Sequence, residues 1–251
     1  MTTRIGIAGA SGRMGRLLAE EAAGLASLAG GNSRTGAMPP GCRHFADLAA
    51  LAGASDVVVD FTHASTVAIH AQVLRRAGTP WVLGTTGYGA GDSAAVAAAA
   101  AEIPVLAAPN FCAGVNLLLL LAERLGAALP GAQYDAEILE MHHRQKLDAP
   151  SGTALALGRA VAGGRGVALE DVMVTSRGGQ ARGPGEIGFA ALRGGQIPGS
   201  HSLLFTAGDE QITLTHHAFD RRVFATGALR AALWLQNRPP GLYAMRDVLG
   251  F

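Results

Sequence analysis

Arg4-Ile-Gly-Ile-Ala-Gly9-Ala-Ser-Gly12-Arg-Met-Gly15-Arg-Leu-Leu18 decides the fold. Residues 4–9 read as a short buried strand. Residues 13–25 carry helical periodicity through Met14, Leu17, Leu18, Ala22 and Leu25. Between them Gly9, Gly12 and Gly15 make a glycine-rich turn that ends a strand and opens a helix. Glycines there let the backbone approach a pyrophosphate, and the helix start offers free N–H groups and a favourable dipole. The spacing is G-x-x-G-x-x-G rather than G-x-G-x-x-G, and a plain glycine turn in a chain with 35 glycines is the alternative.

Outward from this turn the alternation continues. Strands are expected at 27–31, 56–61, 80–84 and 104–108, with helices at 64–77 and 90–102. After about residue 114 the pattern changes. A long helix over 115–128 leads to a strand at 134–142 and a helix at 152–162. Strands then follow at 171–177, 186–193, 201–207 and 211–217, and a helix at 223–236. The fold class is therefore α/β. A Rossmann-like doubly wound parallel sheet is joined to a second α+β domain built on an open, mixed and mostly antiparallel sheet.

Composition excludes several classes. The 251 residues suffice for two ordinary domains, and with 49% hydrophobic and 16% charged residues the chain is not disordered. A net charge of +1 gives no footprint for nucleic acid or an anionic membrane. Two cysteines, Cys42 and Cys112, support neither a disulfide scaffold nor a four-cysteine zinc site. The N-terminus has no signal-peptide layout, and the longest apolar runs, 93–101 and 117–122, fall short of the roughly 20 residues of a membrane helix. A soluble, cytoplasmic protein is expected.

The end of the second strand bears on the nucleotide. NAD sites place a carboxylate about 20 residues beyond the glycines, to bind the ribose diol. Here none occurs between Glu21 and Asp47; instead Ser33-Arg34-Thr35 offers two hydroxyls and a guanidinium, which suit a 2′-phosphate. This favours NADPH over NADH, unless Arg34 is a solvated loop residue. Gly84-Thr85-Thr86-Gly87 and Ala108-Pro109-Asn110-Phe111 end two later strands. There they are placed either to touch a cofactor or to serve as structural turns.

The densest chemistry lies in Glu140-Met-His142-His143-Arg144-Gln-Lys146-Leu-Asp148-Ala-Pro150-Ser151-Gly152-Thr153-Ala154. Lys146 is the only lysine in the chain, in a sequence whose basic positions otherwise all hold arginine. An ammonium titrates where a guanidinium does not, so this exception points to proton chemistry, with chance as the alternative. Ser151 is a good N-cap, and Gly152 and Thr153 supply first-turn N–H groups. Cationic side chains beside a helix start suit a small carboxylate; a polar loop before a capped helix is the bland reading. No metal is expected: the H-E-x-x-H spacing is absent, and adjacent strand histidines point to opposite faces. Of the remaining histidines, His63 lies near a strand's carboxyl end, where helix capping by Thr62 also explains the locality. His201 lines a pocket or opens a strand, and His216 and His217 read as structural.

On these motifs the sequence resembles the dihydrodipicolinate (4-hydroxy-tetrahydrodipicolinate) reductases, almost end to end. The carriers are 7–15, 84–87, Asn110-Phe111 with Gly114-Val-Asn116, 142–154, Arg193-Gly-Gly-x-x-Pro-Gly-x-His201, 231–234 and 245–249. The resemblance implies a nucleotide-binding domain over 1–113, completed by 223–251. It implies a substrate and oligomerisation domain over 114–222 that builds a homotetramer. It implies hydride transfer from NAD(P)H to a cyclic imine dicarboxylate in lysine and diaminopimelate biosynthesis. By the match His142 and Lys146 carry acid catalysis, and His143, Gly152 and Thr153 bind substrate with Ser151 alongside. Gly9, Ala10, Ser11, Gly12, Arg13 and Met14 hold the cofactor with Gly84, Thr85 and Thr86 and with Ala108, Pro109, Asn110 and Phe111. Many members carry an acid where this chain has Ser33 before Arg34, and the loop at 35–45 is short; the first departure also favours NADPH. A reductase for another small carboxylate and a non-catalytic NADPH sensor are the rival readings.

Overall fold

The computed structural model describes residues 2–251. In chain order the elements are β1 (Arg4–Ala8), α1 (Arg13–Ala22), β2 (Ser27–Asn32), α2 (Leu48–Gly53), β3 (Val57–Asp60), α3 (Val67–Ala77), β4 (Trp81–Leu83), α4 (Ala90–Ala100) and β5 (Pro104–Ala107). There follow α5 (Ala113–Ala128), β6 (Asp135–His142), α6 (Gly152–Gly164), α7 (Leu169–Val172), β7 (Met173–Val174), β8 (Ile187–Arg193), β9 (Gly199–Thr206) and β10 (Gln211–Ala218). The chain closes with α8 (Arg222–Leu235), β11 (Gly241–Tyr243) and α9 (Met245–Leu249). It divides into two compact units, residues up to Ala113 together with Arg222–Phe251, and Gly114–Arg221. Among the described residues no helix is long and apolar enough to cross a membrane.

The first unit holds a six-stranded sheet of order β11-β5-β4-β3-β1-β2, with every pairing parallel. Side chains alternate along each strand, and both faces are buried. Ile5, Ile7, Val57, Val59, Val82 and Leu106 share a core with Leu18 of α1 and Ala225, Ala228 and Leu229 of α8. Val58, Trp81, Leu83 and Val105 point the other way, into a core with Leu51, Leu74 and Val96 from α2, α3 and α4. Each fully buried Val or Leu here contributes about 1.5–3 kcal/mol relative to exposure. The sheet is thus Rossmann-like and doubly wound. The chain runs from β1 to β2 on one side and then crosses back to β3 on the other, so a topological switch point lies at the carboxyl ends of β1 and β3.

The second unit is a five-stranded sheet of order β10-β9-β6-β8-β7. Pairings β10/β9 and β9/β6 are antiparallel, whereas β6/β8 and β8/β7 are parallel. It is therefore mixed, with most paired residues antiparallel, as expected; α6, α7 and β7 lie between β6 and β8 in the chain, a crossover long enough to permit their parallel pairing. One face is packed. Ile138, Phe189, Leu203 and Phe205 meet Leu157 and Val161 of α6 and Leu118 of α5.

Three expected elements differ in extent. The strand expected over 171–177 is a helical turn, α7, followed by the two-residue β7. Arg177 then turns to Glu137 and Glu186, and Gly178 and Gly179 adopt positive φ, which ends any strand. The first helix stops at Ala22, and Leu25 and Ala26 donate their N–H groups back to the Ala22 carbonyl, leaving Leu25 exposed. Strand β9 begins at Gly199, so His201 lies inside it.

Candidate active site

In the first unit the glycine turn joins β1 to α1. Gly9 has φ +81°, and the Gly9 and Ala10 N–H groups both donate to the Asn32 carbonyl at 3.1 Å, tying the turn to the end of β2. A β-carbon at Gly15 would sit 2.3 Å from the Gly9 carbonyl oxygen, so the helix packs against the turn only because no side chain intervenes. The N-cap, Gly12, supplies no side-chain acceptor, and the first turn of α1 carries no acidic residue. A side-chain-free cradle at an uncapped helix start fits a pyrophosphate. The residues present thus fit a dinucleotide.

The neighbouring strand ends lie along the same edge. After β2, Ser33 Oγ lies 3.2 Å from Thr35 Oγ1 and donates to the Ala37 carbonyl, with Arg34 exposed beside them. After β4, a β-carbon at Gly84 would fall 2.3 Å from the Phe61 ring. Thr85 is buried and its Oγ1 accepts the Thr62 N–H at 3.0 Å; Thr86 is exposed. After β5, Asn110 Oδ1 accepts the Cys112 N–H at 2.8 Å, and Phe111 stacks at a tilt on Phe61 with centroids 5.5 Å apart. The Asp60 carboxylate beneath these turns is buried and accepts from Thr62 N, Thr62 Oγ1, His70 Nδ1 and Trp81 Nε1. His63 caps the short 3₁₀ turn of Ala64–Thr66 with its own ring, while Thr62 Oγ1 turns to Asp60.

In the second unit β6 alternates Ala136, Ile138, Glu140 and His142 inward. The chain then leaves the sheet, and the Lys146 N–H closes a turn on the His143 carbonyl at 3.1 Å. His142 Nδ1 lies 2.5 Å from Glu140 Oε2, so with Glu140 ionised the ring proton sits on Nδ1 and Nε2 carries the lone pair in the neutral ring. Burial pushes the His142 pKa down; the Glu140 hydrogen bond and charge oppose this, and Lys146 and Arg193 add to it, so the net direction is down. Burial also raises Glu140, but hydrogen bonds from Arg193, His142 and the Ser151 N–H outweigh it, and the carboxyl lies below its usual range. Lys146 Nζ pairs with Asp148 at 2.8 Å, and that hydrogen bond lowers the Asp148 pKa.

Helix α6 starts where expected. Ser151 is buried and its Oγ accepts the Ala154 N–H at 3.2 Å while also lying 3.1 Å from His201 Nε2. Gly152 is exposed, Thr153 is half-buried, and no acidic residue occupies the first turn. His201 packs edge-on to His142 with centroids 5.1 Å apart, and its pKa is driven to about 4, by burial first and then by the His142 charge. His143 Nε2 lies 3.2 Å from Arg221 Nη2. A guanidinium only donates, so His143 carries its neutral-state proton on Nδ1, which is buried and has no hydrogen-bond partner among the described residues.

Residues 3–111 match the family model for the dihydrodipicolinate reductase N-terminus, and 114–249 match that for its C-terminus. The chain belongs to the dihydrodipicolinate reductase family. The 4-hydroxy-tetrahydrodipicolinate reductase of Acidiphilium cryptum is 63% identical, with 98% of this chain and 97% of that protein covered. The enzyme of the same name from Granulibacter bethesdensis is 61% identical over the same shares. Among solved structures, the dipicolinate-bound dihydrodipicolinate reductase from Paenisporosarcina sp. TG-14 is similar with a TM-score of 0.82 at 25% identity, covering 98% of this chain and 99% of that one.

Within this family frame, two groups of residues named from sequence assemble separately. Gly9 to Met14, Ser33, Arg34, Gly84 to Thr86 and Ala108 to Phe111 gather at the carboxyl edge of the parallel sheet. His142, His143, Lys146, Ser151, Gly152 and Thr153 gather at the end of β6 and the start of α6. Sequence reading gave no role to Asp60, His70 or Arg221, and quoted Arg193 only as part of a motif. Glu140 was quoted without a role, though its place two residues before His142 on a strand was the available signal.

Proposed function

We propose that the protein reduces 4-hydroxy-tetrahydrodipicolinate (dihydrodipicolinate) to tetrahydrodipicolinate in lysine and diaminopimelate biosynthesis, with NADPH preferred over NADH. The observation that supports this reading, in a chain of this family, is that buried Glu140 ties His142 to the Ser151 N–H at the acid-free start of α6, with His143 and Lys146 in the intervening loop. A bound reduced nicotinamide supplies the hydride. First-turn N–H groups of Gly152 and Thr153 favour a substrate carboxylate, and the Lys146 ammonium and His143 add polar contacts. Hydride addition drives electron density onto the ring nitrogen and its neighbouring carbon, where a proton must arrive. His142, kept neutral near pH 7 by burial with its proton directed at Glu140, presents the Nε2 lone pair as an acceptor, and Lys146 is the cationic donor of the pair.

NADPH preference is supported by the paired Ser33 and Thr35 hydroxyls beside exposed Arg34, in a stretch with no carboxylate between Glu21 and Asp47. Self-association into a homotetramer is supported by the uncovered face of the second sheet, where Leu139 and Leu192 are 38% and 46% exposed. Light scattering that returned a monomer would remove that part. A cytoplasmic location agrees with Cys42 and Cys112 as buried free thiols. The deciding assay follows nicotinamide absorbance while the preceding synthase makes substrate in place from pyruvate and aspartate semialdehyde. Substrate-dependent oxidation, faster with NADPH, is expected. Equal rates would discard the preference, and no oxidation by cofactor-binding protein would discard the reaction.

A further inference from the structure

We infer that Glu140 and Arg193 form a positioning pair that fixes the tautomer of His142 and anchors the loop carrying Lys146. The inference rests on His142 and Lys146 acting in the proposed reaction.

Glu140 is 1% exposed, yet its two oxygens receive four donors. His142 Nδ1 lies at 2.5 Å, the Ser151 N–H at 3.0 Å, and Arg193 Nη1 and Nη2 at 2.8 and 2.7 Å. The parallel register sets Arg193 opposite His142 on β8, from where its guanidinium reaches Glu140 as a two-pronged fork. The same guanidinium donates to the Asp148 carbonyl, and the Asp148 side chain holds Lys146 Nζ at 2.8 Å. One continuous path therefore runs from the His142 ring through Glu140, Arg193 and Asp148 to the Lys146 ammonium. A buried ion pair is a poor device for stability alone, because desolvation offsets its attraction. This one instead ends on the two side chains assigned to proton chemistry and on the first residue before α6.

Charge accounting explains why both members are needed. The groups facing His142 are Glu140 on its own strand, Arg193 from β8, His201 from β9, and Lys146 from the loop, itself paired with Asp148. An unmatched carboxylate at 2.5 Å would favour imidazolium. Arg193 neutralises Glu140, so the carboxylate orients the ring without charging it. On the far side, a β-carbon at Gly199 would come 3.0 Å from His142 Nε2, so glycine there leaves the lone-pair edge uncovered.

The test uses ¹⁵N imidazole spectra of the full-length protein, with His142→Gln to assign its signals, beside pH profiles of kcat and KM. Arg193→Met should raise the pH at which His142 titrates by about one unit or more. Glu140→Gln combined with Arg193→Met removes both charges, so no unmatched ion threatens folding. It should leave His142 exchanging between tautomers and lower kcat by about 10–100-fold, with little change in the KM for NADPH. Arg193→Lys should restore the His142 titration, because the charge returns. A double variant that keeps a fixed Nδ1–H tautomer and normal kcat would overturn the inference. Because the spectra need no substrate, they stand even where the wild-type protein fails to reduce dihydrodipicolinate, and that outcome would sink the reaction alone.

Discussion

Lys146 is the residue on which the proposed chemistry is most exposed to test. Lys146→Arg keeps a positive charge beside Asp148 but replaces a group that can release a proton with one that cannot. Turnover should fall by about 10²-fold or more with cofactor binding intact, as read by steady-state kinetics and nucleotide fluorescence. Near-normal turnover would refute its role as acid. Ser33→Glu should move preference toward NADH by placing a carboxylate where a 2′-phosphate would lie; an unchanged NADPH:NADH ratio of kcat/KM would reject the Ser33 reading. His201 has a folded-state pKa of about 4, set first by burial, against about 6.5 in an unfolded chain. Between these values the unfolded chain binds the extra proton. Its stabilisation is therefore complete above pH 6.5 and drains as pH falls toward 4, by about 3 kcal/mol in all. Urea melts from pH 7 to 4 should show this slope in the wild type and a shallower one in His201→Phe.

At the scale of elements, close backbone approaches make sharper predictions than propensity does. An alanine inside a helix normally stabilises relative to glycine by about 1 kcal/mol. Gly227→Ala in α8 should do the opposite, because its β-carbon would lie 1.9 Å from the Phe111 carbonyl oxygen. A lowered melting temperature is expected; an unchanged or raised one would show that α8 shifts freely. The glycine turn was legible because strand, turn and helix follow one another within fifteen residues, each with its own period. Helix α2 was overlooked although Asp47 caps it, its Oδ1 accepting the Ala50 N–H at 2.8 Å, because six residues show too little periodicity. The links from Asp60 to His70 and Trp81, and from Glu140 to Arg193, were illegible for a different reason. Their partners meet only after parallel strands and helices are assembled, and no local spacing marks them. The loop from His142 to Thr153 was readable because its chemistry is contiguous.

For the whole molecule, the first unit is discontinuous in sequence. Strand β11 pairs with β5, and α8 supplies Ala225, Ala228, Leu229, Ala231, Ala232 and Leu235 to the core beneath Ile5, Ile7, Val57 and Val59. Deleting residues 222–251 should therefore abolish cofactor binding and yield aggregated protein, measured by fluorescence titration and size exclusion; a soluble fragment that still bound NADPH would contradict this. The arrangement also imposes an order of events at the ribosome. Once residue 113 has been added, all five leading strands of the parallel sheet exist, but one greasy side of that sheet has only α1 over it until the helix beginning at Arg222 emerges. At about 5–20 residues per second the intervening segment takes roughly 5–20 s to translate. For that interval the nascent nucleotide-binding half is a half-clad intermediate, and the cell must shelter it from its neighbours.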